Sequence, residues 1–73
     1  MGQEPVTGED LRLYRTLRRA TLAQVGQRLG ISKQRVYQVE RQSRVDDARS
    51  LAFVDAVDDA VTERLKARKG VAS

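Results

Sequence analysis

The chain has 73 residues, no Cys, no His and a formal net charge of +4. A chain this short forms one domain and buries only about 60% of the surface its unfolded form exposes. Without Cys or His it has neither disulfides nor thiolate metal sites, and it lacks the commonest metal ligand and general base, so helix packing and self-association must stabilise it.

The charge is unevenly placed. Residues 9–45 hold nine Arg or Lys against three acids, whereas residues 46–65 hold six acids against two Arg. A basic half beside an acidic half implies that only the first half faces a polyanion. There is no apolar run long enough to span a bilayer, and the opening MGQEPVTGE lacks the charged-then-apolar order of a secretory signal. A cytoplasmic protein of a bacterium or phage, with no membrane contact, is the expectation.

Residues 1–7 contain Gly2 and Pro5 without periodicity and are expected to be a flexible arm. Thr7 suits an N-cap, and Asp10 three residues on completes a capping box. The first helix is expected from Gly8 to Arg19, with Leu11, Leu13, Tyr14 and Leu17 inward and Arg12, Arg15, Arg18 and Arg19 mostly outward. Thr21 and Gln24 repeat the capping logic for a second helix over Leu22–Leu29. Gly30 ends it through a left-handed residue, Ile31 tucks back, and Ser32 caps a third helix over Lys33–Gln42.

After a connection through Val45, the spacing turns helical again. Ala48, Leu51, Phe53, Val54, Val57, Ala60, Val61 and Leu65 form a broad apolar stripe. Asp46 and Asp47 lie where a helix N-terminus favours acids; Lys66, Arg68 and Lys69 lie where a C-terminus favours bases. The pattern allows one long helix or two with a bend near Asp55. Gly70 is expected to end the helical run. The expected architecture is all-α, a bundle of four to five helices. Residues 8–65 form the domain, with an acidic helix at 46–65 and a flexible basic tail at 66–73.

Residues 21–42 carry the functional signal. Two helices that cross steeply can touch at few positions. The contact needs a small residue, supplied by Gly26, and the turn needs a positive φ, supplied by Gly30. Val25, Leu29, Ile31, Val36 and Val39 supply the apolar positions around them. Together these describe a helix-turn-helix. With Val36 and Val39 inward, the third helix presents Lys33, Gln34, Arg35, Tyr37, Gln38 and Arg41. Long donors and amide forks of this kind read base edges in a major groove wide enough to admit a helix. Lys33, Gln34 and Gln38 are assigned to base contact, Gln38 lying one turn beyond Gln34. Arg35, Tyr37, Arg41 and Arg44 are assigned to phosphates, with Thr21 and the first amides of the second helix as a further phosphate contact. Glu40, the acid of the third helix, is expected to point inward or sideways, where it can meet Arg12 or Arg15.

The segment TLAQVGQRLGISKQRVYQVER resembles the helix-turn-helix of the Cro and phage-repressor class, aligning without gaps from Leu11 to Arg41. It is also similar to the fourth region of primary sigma factors, through its Thr-Leu, Val-Gly, Leu-Gly-Ile-Ser and Arg-Val-x-Gln-Val-Glu elements. Both resemblances imply a lambda-repressor-like or related helical fold and base contact from Lys33, Gln34 and Gln38. The chain departs from the repressor class at Leu22, where that class usually has Gln, and at Gln42, where Gly is common.

The expected function is a small sequence-specific regulator of transcription, a repressor, that binds double-stranded DNA and needs no cofactor. The stripe Leu51, Val54, Val57, Val61 and Leu65 is either the face of a homodimer on a palindromic site or a cover over the domain's own core. The competing reading is a protein-interaction module, sigma-region-like or a phage accessory factor, whose acidic C-terminal helix binds a partner such as RNA polymerase. Asp55, Asp58, Asp59 and Glu63 share helical spacing, but a solvated acidic face accounts for them. With no nucleophile–base constellation, no enzyme is expected.

Overall fold

The computed structural model describes the backbone of residues 6–72 and the side chains of residues 6–68. The expected arm falls largely outside these residues. Four helices follow in order: α1 (Gly8–Leu17), α2 (Leu22–Leu29), α3 (Lys33–Glu40) and α4 (Asp47–Ala72). There is no strand among the described residues.

The starts of the first three helices are local events. Thr7 and Asp10 form a reciprocal capping box, each side chain accepting the other residue's backbone N–H at 3.1 Å. Thr21 and Gln24 do the same for α2, at 2.9 and 3.0 Å. Ser32 accepts from the Arg35 N–H. Such caps satisfy donors that the first helical turn leaves without partners. Asp46 performs the same service for α4, accepting from the Arg49 N–H at 2.7 Å.

The ends differ from the sequence reading. The helix α1 stops at Leu17, two residues early, because the chain turns through Arg18 into Arg19, which adopts a left-handed φ of 59°. The helix α3 stops at Glu40, where the Arg41 and Gln42 amides bond back to Gln38 and Val39. Beyond the connection, α4 is one helix of 26 residues rather than two. It runs past Leu65 and through Gly70, so the expected tail begins as helix. Lys66, Ala67, Arg68 and Lys69 are all good helix formers, and one Gly costs only about 1 kcal/mol relative to Ala.

The core gathers Leu11 from α1, Ala20, Val25 from α2, Val36 and Val39 from α3, Val45, and Phe53, Ala56, Val57 and Ala60 from α4. The helix α4 packs on α1 and α2, α2 on α3, and α1 on α3; among the described residues the backbones of α3 and α4 do not come close. Leu13 and Leu17, expected inside, stand 57% and 71% exposed. Only the Leu11–Tyr14 side of α1 meets the bundle, too narrow a contact to cover four apolar residues. Of the expected dimer stripe, Val57 is fully buried and Val54 and Val61 are half-buried, so Val57 is a core residue and not a surface one. Two backbone hydrogen bonds, Gly8 N–H to Gln42 and Val45 N–H to Val6, both 2.8 Å, tie the entry of α1 to the segment between α3 and α4.

Candidate nucleic-acid interface

The turn between α2 and α3 sets the aim of α3. Gly30 has φ +74°, and the Ile31 N–H donates to Gly26 O at 2.9 Å. A Cβ on Gly26 would lie 2.6 Å from the Ile31 carbonyl oxygen, so the chain folds back directly onto that glycine. Val25, Val36 and Val39 are buried beneath the turn, with Leu29 and Ile31 packed at its edge.

This packing turns one side of α3 outward. Lys33, Gln34, Arg35, Tyr37, Gln38 and Arg41 are all exposed, whereas Val36, Val39 and Glu40 are buried. Gln34, Gln38 and Arg41 follow one another at helical spacing and form a single outer line. Lys33 and Tyr37 lie to one side of it and Arg35 to the other. Arg41 donates to the Tyr37 hydroxyl at 2.9 Å, so the two side chains are held together.

Glu40 is removed from this face by a specific partner. Arg15 of α1 clasps it with two guanidinium nitrogens, Nη2 at 3.1 Å from Oε1 and Nε on Oε2. The side chains are 12% and 2% exposed. Arg15 Nη1 also donates to Ala20 O at 2.9 Å. Of the two partners the sequence left open for Glu40, the fold selects Arg15. A carboxylate that would repel phosphates is thereby neutralised inside.

The other cations divide into spent and free. Arg18 pairs with Asp58 at 3.8 Å and Arg28 with Glu63 at 3.6 Å. Arg64 donates to the Arg18 and Arg19 carbonyls that end α1. These contacts also engage part of the acidic face of α4. Among the described residues, Arg12, Arg19, Lys33, Arg35, Arg41, Arg44, Arg49, Lys66 and Arg68 enter no ion pair.

Of the expected phosphate contacts, Thr21 is exposed but its N–H is taken by Gln24. The Leu22 and Ala23 amides remain without an intrahelical acceptor. Leu22 is half-buried and packs on the core. Arg44 is exposed in the connection after α3. Two residues beside α3 have no place in the interface read from the sequence, which offers Arg12 only as a partner for Glu40. Arg12 of α1 shares a groove with Tyr37 and Arg41, and Arg49 of α4 shares a cleft with Arg35 and Gln38. In the sequence both are merely Arg on solvent-facing helix sides; only the helix crossings bring them to α3.

Among the described residues no helix is long and apolar enough to cross a membrane. Residues 10–45 match the family model of sigma-70, region 4. The match begins within the first turn of α1, spans α2, α3 and the connection after them, and stops before α4. No curated protein and no solved structure matches the chain. Of the two resemblances read from the sequence, the family match supports the sigma one; the Cro and phage-repressor one rests on the residues alone.

Proposed function

From a DNA-binding helix-turn-helix of the sigma-70 region 4 type, we propose that this chain is a sequence-specific regulator of transcription that inserts α3 into the major groove of double-stranded DNA. One observation carries the reading: the exposed side of α3 holds only amides, cations and a tyrosine, while its acid is turned inside onto Arg15. Gln34, Gln38 and Lys33 read base edges; Arg35, Tyr37, Arg41 and Arg44 hold phosphates, with the first amides of α2 as a further anchor. Repression follows from occupying a promoter site. Two copies bind together, since a single module of this size buries only about 600–1,000 Å² on DNA. Leu51 and Leu65 are the stripe residues still exposed for that pairing.

Selection from random duplexes tests this directly, yielding the preferred site and any half-site spacing. On that site Gln34→Ala and Gln38→Ala are each expected to cost about 1–3 kcal/mol and to relax base preference. Arg41→Ala is expected to weaken binding to selected and random duplexes alike and to flatten the salt dependence. Identical behaviour of Gln34→Ala and Arg41→Ala on both duplexes would refute this division of labour. Enrichment of no sequence would refute sequence-specific binding.

A further inference from the structure

The helix α4 lies outside the matched residues 10–45, yet its first turns border the proposed reading surface. Arg35, Gln38, Val39, Gln42, Asp46 and Arg49 line one open cleft. Because among the described residues the α4 backbone comes close to α1 and α2 but not to α3, this cleft is a notch and not a packed seam. Arg35 and Arg49 are exposed on its two sides, and neither has an ion-pair partner among the described residues. The Asp46 carboxylate in the same cleft is engaged with the backbone, accepting the Arg49 N–H as the cap of α4. The notch is therefore lined by two guanidinium groups and two primary amides against a single acid. Like charges facing one notch repel, and a polyanion removes that repulsion.

We propose that Arg49 of α4 holds a DNA backbone phosphate jointly with Arg35, on the α4 side of the reading helix. The proposal rests on the DNA-binding reading above. A phosphodiester offers two anionic oxygens, and a guanidinium can present two parallel N–H donors to them. Gln38 shares the notch, so the phosphate held there flanks the base pair that Gln38 meets. Arg49 thus sets how deep α3 sits and in which register, and makes α4 part of the interface instead of a support behind it.

The test uses the full chain and the selected duplex, with binding followed across a salt titration and phosphates mapped by ethylation interference. Arg49→Gln is expected to reduce the slope of log affinity against log salt by about one. It should also weaken the interference at one phosphate, beside the base pair sensitive to Gln38→Ala. Arg49→Lys should keep the slope, and the melting temperature of both variants should match the parent, since Arg49 is exposed. An unchanged slope and a full interference pattern in Arg49→Gln, with Gln38→Ala still impaired, would overturn the role of Arg49 and leave DNA binding standing. Absence of duplex binding by the parent chain would overturn both.

Discussion

Gly26 and Gly30 lie four residues apart and serve different ends. At Gly30 the backbone is left-handed and a Cβ would meet nothing within 4 Å, so substitution costs only the backbone strain, about 1–2 kcal/mol. At Gly26 a Cβ would press on a backbone carbonyl that cannot move without unwinding the turn, a cost at the upper end of overpacking, about 3 kcal/mol. Gly26→Ala is therefore expected to lower the melting temperature more than Gly30→Ala; the reverse order in thermal unfolding would contradict this geometry. Arg19 is the converse case, a non-glycine residue at φ 59°. Arg19→Gly should be neutral to stabilising by roughly 0.5 kcal/mol, relief of strain outweighing the added chain entropy. Tyr14 donates its hydroxyl to Asp58 at 2.7 Å, and that hydrogen bond to a carboxylate raises its pKa above the ordinary 10.0. A raised folded value means the contact supports the fold below the unfolded pKa and is lost as pH rises through the folded one. With Tyr37→Phe as background, tyrosinate absorbance should appear above pH 10.0, and Asp58→Ala should bring it back down.

Among the elements, α3 is the one held by a buried charge. Its apolar contribution to the core is two valines, and Arg15–Glu40 adds a rigid tie from α1. Removing one partner leaves the other ionised and poorly solvated. Glu40→Ala should cost about 3–5 kcal/mol, whereas the paired change Arg15→Met with Glu40→Leu should be close to neutral. Denaturant unfolding of both variants checks this, and a single change no worse than the double would show that the pair is not held out of water. The same argument explains a limit of periodicity. The spacing of α3 identified Val36 and Val39 as inward, but the selection of Arg15 over Arg12 depends on how α1 crosses α3. Likewise Leu13 and Leu17 carry the apolar spacing of an inner face and yet stand in solvent, because no element covers that side of α1.

For the molecule as a whole, α4 is what makes the matched window a domain. Phe53, Ala56, Val57 and Ala60 close the core beneath α1 and α2, and Phe53 is 1% exposed. A domain of this length has roughly 4–11 kcal/mol of stability. Phe53→Ala, at about 3–5 kcal/mol, should consume a large share of it. A chain ended at Val45 keeps the whole matched segment but loses these four residues. It is expected to show little helical circular dichroism, and a cooperative melt of that fragment would contradict the placement of the core. The charge split read from composition also gains a spatial meaning. Acids of α4 are partly spent on Tyr14, Arg18 and Arg28, while Lys33, Arg35, Arg41 and Arg49, on α3 or beside it, enter no ion pair among the described residues.

Sequence alone determined whatever depends on neighbours along the chain. Thr7, Thr21 and Ser32 as caps, Gly30 as the left-handed stop and the outward set on α3 are set by contacts within a few residues, and those contacts leave a period or a spacing to read. The tertiary structure decided what depends on how helices cross. It selected Arg15 as the partner of Glu40, buried Val57 in the core and left Leu13 and Leu17 bare. It also brought Arg12 and Arg49 to the two sides of α3. Those outcomes turn on packing between residues that are distant in the chain, for which no local spacing exists.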